Sequence, residues 1–145
     1  MVEQSLNSSE SRETTKPEFI VKLEQQWQKG KFISIGLDPV LEQIPDVIKD
    51  KTDNIAWQIS GFNLDIIEAT HDLVCAYKIN TAFYEPYGEE GAEALWTTMN
   101  QLNARFPEVF VVLDYKRGDM PSSNLWYVRA AFGQDWEVDA VTVNP

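Results

Sequence analysis

Residues 109–120 read VFVVLDYKRGDM, an apolar and β-branched run that changes abruptly into a series of charges. The apolar part predicts a buried strand that ends near Lys116. Side chains two positions apart on a strand share a face, so Asp114 and Lys116 are expected to point the same way. Gly118 permits a sharp exit from the strand, which displaces Asp119 onto the following loop. The segment therefore predicts a strand that carries charge at its C-terminal end.

Three further segments have strand character, and helical patterns separate them. The four predicted strands are Lys31–Asp38, Leu73–Asn80, Val109–Lys116 and Val138–Asn144. Apolar residues at helical spacing form four stripes: Phe19, Ile20, Leu23 and Trp27; Ile55, Ile59, Phe62 and Ile66; Ala92, Leu95, Met99 and Leu102; Leu125, Val128 and Phe132. Ser122 or Ser123 is the expected N-cap of the last helix.

Strands that alternate with helices indicate an α/β protein with parallel strands. A doubly wound open sheet could be complete at this length, whereas a (β/α)8 barrel needs about 250 residues. The strands favour the barrel, because each has one apolar face and one small or polar face, as a narrow interior with an open mouth requires. We therefore expect a TIM-barrel type fold of which the chain holds about the first four β/α units. Pro145 directly follows the fourth predicted strand, where a natural domain rarely ends.

The composition argues against a protein that binds nucleic acid or anionic membranes. The net charge of −11 over 145 residues repels nucleic acid and anionic membranes. Residues 1–15 form an expected flexible polar tail without the apolar core of a secretory signal, and residues 16–145 form the domain. No apolar run is long enough to cross a bilayer. Cys75, the lone cysteine, is expected to be buried on a strand, which fits a reducing cytoplasm.

Charged residues are predicted at the C-terminal ends of the first three strands, where parallel α/β folds place their active sites. Asp38 ends the first strand, Lys78 lies near the end of the second, and Asp114 and Lys116 end the third. Surface salt bridges at loop starts are the alternative reading. Because all of these residues are in phase, a functional cluster is the favoured interpretation.

Four segments resemble the orotidine 5′-phosphate decarboxylase family, in its longer bacterial subgroup. They are GLDP at 36–39, YKINTAFYEPYG at 77–88, DYKRGDM at 114–120 and VTVNP at 141–145. The third contains the D-x-K-x-x-D pattern in its K-R-G-D form. The resemblance implies a cofactor-free decarboxylation of orotidine monophosphate to uridine monophosphate in pyrimidine biosynthesis, with no metal.

The resemblance also implies roles for the charged residues. Lys78, Asp114 and Lys116 would form a charge array with Asp119 of a second subunit, so a homodimer is expected. Lys116 would deliver a proton to C6 of the pyrimidine, and Asp114 would lie near the carboxylate that leaves.

The remaining implied contacts concern the rest of the substrate. Asp38 and Lys78 would contact the ribose hydroxyls. Ser123, which stands where the family usually has threonine, keeps a hydroxyl for substrate binding. Met120 stands where the family usually has a β-branched aliphatic residue. The family's phosphate-gripping arginine belongs to the second half of the barrel, so residues 1–145 alone are expected to be inactive.

Two other functions stay open. A magnesium-dependent sugar-phosphate lyase of the same barrel group would need an acidic ligand on the second strand, where this chain has the cation Lys78. A truncated barrel half without catalysis could act as a binding or assembly module.

Overall fold

Strands and helices alternate along the chain in the order that the sequence predicts. The computed structural model describes residues 17–133 and 136–145, so the predicted tail, 1–15, lies outside the described residues. The elements are α1 Glu18–Gln28, β1 Ile33–Gly36, α2 Asp46–Lys49, α3 Ile55–Thr70, β2 Val74–Asn80, α4 Gly88–Arg105, β3 Phe110–Asp114, α5 Pro121–Phe132 and β4 Ala140–Val141. Short 3-10 turns lie at Leu41–Gln43, Thr81–Phe83 and Glu85–Tyr87. None of the helices in the described ranges is both long and apolar enough to cross a membrane.

The four strands form one parallel sheet in the order β1-β2-β3-β4. Gly36 pairs with Lys78, and Lys78 pairs with Val112, so the strands are in close register. A doubly wound sheet reverses its strand order at a switch point, whereas a barrel adds each new strand beside the last. The sequential order is that of the first half of a (β/α)8 barrel, which confirms the predicted fold class.

The two faces of the sheet differ in polarity as predicted. On one face Tyr77, Ile79, Val111 and Leu113 are fully buried or nearly so and join a core with residues of α3 and α4. The helical members of this core include Ile59, Ile67, Met99 and Leu102. Burial of each such side chain contributes about 1.5–3 kcal/mol to stability. The opposite face carries the polar side chains of β2 and β3, which are only partly buried.

Helix α1 lies across the N-terminal end of the sheet. Lys22 Nζ contacts Asp139 Oδ2 at 2.7 Å, and the same oxygen accepts from the backbone N–H of Val111 at 2.8 Å. Gln26 donates to the carbonyl of Glu108 at 2.7 Å. These contacts close the end of the sheet opposite to the charged strand ends.

Several local predictions need correction. The strands are shorter than predicted: β3 ends at Asp114, so Lys116 lies beyond the strand rather than on it, and β4 is reduced to Ala140–Val141. Helix α5 begins at Pro121 with Met120 as N-cap and no side-chain cap, so the prediction of Ser122 or Ser123 as N-cap is wrong. Proline favours the first helical position, because its fixed φ suits the helix and its missing N–H would be unpaired there. Both serines therefore fall inside the first turn.

Part of the predicted apolar surface is uncovered. Leu125, Val128 and Phe132 share a face of α5 as expected, but each is about half exposed, and Ala131 is the buried residue of that helix. Ile33 is also exposed, at the irregular start of the β1–β2 pairing. Cys75 is buried on β2, as predicted.

Candidate active site

Charged side chains from the ends of three strands form a continuous row. Lys78 Nζ lies 3.5 Å from Asp38 Oδ2 and 3.4 Å from Asp114 Oδ2. Lys116 Nζ lies 2.7 Å from Asp114 Oδ1. The row Asp38–Lys78–Asp114–Lys116, called the charged row below, therefore alternates in sign along its whole length. Four of the site residues predicted from sequence come together in it.

The strand register produces this alignment. Gly36 pairs with Lys78, and the N–H of Leu37 donates to the carbonyl of Lys78 at 2.8 Å, which carries Asp38 past the end of β1. A Cβ atom at position 36 would come within 3.2 Å of Asp38 Oδ2, so the glycine leaves room for this carboxylate. Because parallel strands end on the same side of a sheet, residues from separate parts of the sequence meet at one mouth.

Asp114 is the most constrained member of the row. Its side chain is 13% exposed. Oδ1 accepts hydrogen bonds from Lys116 Nζ and from the Thr142 hydroxyl, both at 2.7 Å. These two hydrogen bonds, and then the charges of Lys116 and Lys78, lower the pKa of Asp114 to about 2, although partial burial opposes the shift. The carboxylate is consequently ionised throughout the physiological pH range.

Lys116 stands at the open end of the row. Its side chain is 55% exposed, and its backbone has a φ of 51°, in the left-handed region. Its N–H donates to the Thr142 hydroxyl oxygen at 3.2 Å. The Lys116 side chain is thus held by one carboxylate and is otherwise largely exposed.

Thr142 was missed by the sequence reasoning as a site residue. It lies just beyond β4 and contacts both Asp114 and the backbone of Lys116. The sequence does contain a signal for it, because side chains alternate along the fourth predicted strand and Thr142 falls on the same face as the charged residues. Its neutral side chain did not mark it as a candidate.

Asp119 and Ser123 do not join the row within this chain. Asp119 is exposed on the loop after β3, and its carboxylate accepts from the N–H of Met120 at 2.7 Å. Asn124 fixes this loop, because its side chain pairs with both the N–H and the carbonyl of Asp119 at 2.9 and 2.7 Å. Ser123 is partly buried in the first turn of α5. Across residues 17–133 and 136–145, neither side chain is hydrogen-bonded or ion-paired to the row.

The charged row places an ammonium group beside each of its carboxylates, which disfavours a metal ion there. The ammonium of Lys78 lies between the carboxylates of Asp38 and Asp114, the oxygens that a metal ion would otherwise use. In the described parts of the chain, no three His, Cys, Asp or Glu side chains are grouped so that they could hold a metal ion. The row can instead stabilise a developing negative charge and supply a proton from Lys116.

Fold and site together define the class of the protein: a (β/α)8-barrel chain with a candidate active site at the C-terminal ends of its strands. A family profile described as orotidine 5′-phosphate decarboxylase / HUMPS matches residues 33–145. The chain belongs to this family.

Individual relatives agree with this assignment. The orotidine 5′-phosphate decarboxylase of Flavobacterium johnsoniae is 43% identical over 122 residues, which are 84% of this chain and 43% of that protein. The enzyme of the same name from Cellvibrio japonicus is 41% identical over 128 residues, 88% of this chain and 45% of that one. The structure of Leishmania donovani OMP decarboxylase superposes with a TM-score of 0.69 at 30% identity, over 86% of this chain and 43% of that chain. The chain therefore spans less than half the length of the curated relatives it matches.

Proposed function

We propose that residues 16–145 form the N-terminal half of an orotidine 5′-phosphate decarboxylase barrel. The whole protein converts orotidine monophosphate to uridine monophosphate in the cytoplasm, as a step of pyrimidine biosynthesis. The observation that carries this proposal is the charged row, in which the ionised Asp114 lies between the ammonium groups of Lys78 and Lys116.

The chemistry follows from the order of charges. The bond between C6 of the pyrimidine and its carboxylate breaks, carbon dioxide leaves, and the electron pair stays on C6. Lys116 stabilises the negative charge that develops there and then transfers a proton to C6. Asp114 lies beside the substrate carboxylate, so its repulsion is relieved as carbon dioxide departs. The protein residues perform these steps without a metal or organic cofactor.

The other contacts position the nucleotide. Asp38 and Lys78 bind the ribose hydroxyls, as the family resemblance implies, and they adjoin each other at the end of the row away from Lys116. Ser123 offers a hydroxyl at the start of α5, and the phosphate is held by residues outside the first four β/α units.

Asp119 completes the charge array of a second subunit in a homodimer. Its exposed position and its Asn124-fixed loop support this role, because the carboxylate is held outward from its own row. In a two-fold dimer each subunit gives its Asp119 to the other.

The charged row favours decarboxylation over the magnesium-dependent sugar-phosphate lyase activity of the same barrel group. A magnesium-dependent lyase needs a metal ion at the position where the ammonium group of Lys78 lies between two carboxylates. A like charge at that place repels the metal ion. Decarboxylation requires no such ion there.

A chimeric barrel tests this function. Residues 1–145 are joined to the part of the Flavobacterium johnsoniae decarboxylase that follows its matched segment, and the Flavobacterium part alone is the control. The chimeric barrel is expected to release carbon dioxide from carboxyl-labelled orotidine monophosphate, and the control is not. A folded chimeric barrel that instead cleaves a sugar phosphate only with added Mg²⁺ would overturn the proposal.

A further inference from the structure

Lys116 adopts a backbone conformation that its residue type disfavours. Its φ of 51° lies in the left-handed region, where the Cβ atom of an L-residue crowds the following carbonyl. Such a conformation persists only where the surrounding structure holds it in place. The residues on either side of Lys116 must therefore be anchored.

The residue before Lys116 is fixed by burial. The ring of Tyr115 is buried, and its hydroxyl donates to the carbonyl of Tyr127 on α5 at 3.0 Å. The rings of Tyr115 and Tyr127 also meet edge to face, with centroids 6.3 Å apart.

The residue after Lys116 is fixed by two hydrogen bonds that its guanidinium group donates. Arg117 Nη1 donates to the carbonyl of Tyr115 at 2.7 Å, and Nη2 donates to Glu85 Oε1 at 2.8 Å. The guanidinium lies 5.2 Å from the centroid of the Tyr115 ring. Arg117 thus contacts the residue before Lys116 and at the same time connects the loop to Glu85, in the second of the two 3-10 turns that follow β2.

We propose that the Glu85–Arg117 pair is a positioning device that holds Lys116 in its left-handed conformation and so keeps the ammonium on Asp114. This inference rests on the proposed function, because it assigns the pair to the placement of the proton donor. Neither Glu85 nor Arg117 belongs to the charged row. The pair gives a role to the 77–88 segment beyond its lysine.

The charge state of the pair supports this role. The hydrogen bond from Arg117, followed by one from Thr81, lowers the pKa of Glu85, so the carboxylate is ionised at neutral pH. Both side chains are substantially exposed, at 38% for Arg117 and 53% for Glu85. Exposed ion pairs contribute little to global stability. Loss of the pair should therefore affect catalysis much more than unfolding.

The chain contains a matched control. Arg105 contacts Glu68 at 2.6 Å with side-chain exposures of 41% and 48%, and its guanidinium lies 5.3 Å from the ring of Phe106. This pair joins α4 to α3 away from the charged row. It reproduces the ion pair and the cation–π contact without the connection to Lys116.

The test compares Glu85→Gln and Arg117→Met with Glu68→Gln and Arg105→Met in the chimeric barrel. A displaced catalytic group lowers rate without changing contacts to the rest of the substrate, so kcat should fall on the order of 10-fold at Glu85 and Arg117. KM and the melting temperature should stay close to the parent values. Arg117→Lys keeps the positive charge but cannot reproduce the two hydrogen bonds of the planar guanidinium, so its kcat should also fall. The Glu68 and Arg105 variants should behave as the parent.

A kcat within twofold of the parent in Glu85→Gln and Arg117→Met would overturn the inference. So would a loss that accompanies a lower melting temperature or a raised KM. A second readout does not depend on the proposed function. The pKa of Asp114, followed by NMR in the chimeric barrel, should rise in Arg117→Met and stay unchanged in Arg105→Met. If the parent chimera is inactive but this difference is found, the proposed function fails and the positioning role stands; if the pKa does not respond, the positioning role fails.

Discussion

Thr142 donates its hydroxyl hydrogen to Oδ1 of Asp114 at 2.7 Å, and so connects the end of β4 to the end of β3. The same carboxylate oxygen accepts from Lys116. Asp114 is therefore held by a neutral donor and a cationic donor, and the neutral one can be removed without changing the charge of the site.

Thr142→Val should raise the pKa of Asp114 above about 2, because it removes a hydrogen bond to the ionised form. The pKa should stay below its ordinary 3.8, since the bond from Lys116 remains. A lowered pKa means that Asp114 stabilises the folded state fully above about pH 4, and that this stabilisation is lost as the pH falls through about 2. The shift is measured by NMR titration of the carboxyl carbon, with Thr97→Val as control; an unchanged pKa would show that Thr142 does not bind the carboxylate.

Tyr84→Phe should destabilise the barrel by about 1–3 kcal/mol, the usual effect of leaving buried polar groups unpaired. The Tyr84 hydroxyl is buried, accepts from Asn63 at 2.8 Å and donates to the carbonyl of Leu37 at 3.0 Å, directly before Asp38. Urea unfolding of the chimeric barrel measures the change. Tyr87→Phe, at a partly buried tyrosine in the neighbouring 3-10 turn, is the control and should have little effect. Equal free energies of unfolding for the two variants would show that the hydrogen bonds of the Tyr84 hydroxyl do not stabilise the barrel.

Residues 1–145 alone should self-associate and show no decarboxylation. Within the described sheet, β1 and β4 are edge strands, and open edges pair readily with other chains. The half-exposed Leu125, Val128 and Phe132 on α5 add an apolar surface. Size-exclusion chromatography with light scattering, combined with the decarboxylation assay, measures both properties. A monodisperse monomer that decarboxylates orotidine monophosphate would contradict this prediction.

Subunit mixing should reveal a shared site. Lys116→Ala and Asp119→Ala chimeric barrels are each expected to be nearly inactive. In a mixed dimer one site carries both defects and the other carries neither, so random assortment restores roughly a quarter of the parent activity. If Asp119 serves its own subunit, every site keeps a defect and mixing restores nothing. Native mass spectrometry establishes that subunits have exchanged before activity is judged.

Much of the fold and of the charged row could be predicted from the sequence, because both depend on local periodicity. The alternation of side chains along a strand predicts that Lys78, Asp114 and Lys116 are in phase. The alternation of strands and helices then brought the strand ends to one mouth. The register that pairs Gly36 with Lys78 and Asn80 with Asp114 agrees with this reasoning, but Lys116 lies beyond the end of β3 with a left-handed backbone, so strand alternation does not account for its position.

The parts that could not be predicted depend on contacts between distant residues or on competition at a helix end. Arg117 and Glu85 meet across 32 positions of sequence, and no local pattern indicates that pairing. Thr142 lies on the predicted face but carries no charge that would mark it. The N-cap of α5 was misplaced because Pro121 took the first helical position ahead of the serines.

The role of Lys116 as proton donor of an orotidine 5′-phosphate decarboxylase is central to the proposed function. It is tested most directly by the kcat of a Lys116→Ala chimeric barrel on orotidine monophosphate. Removal of the general acid should lower kcat by at least roughly 10²-fold. Lys29→Ala, which removes an exposed lysine at the end of α1, should leave kcat unchanged. Near-normal turnover by Lys116→Ala would contradict the assignment.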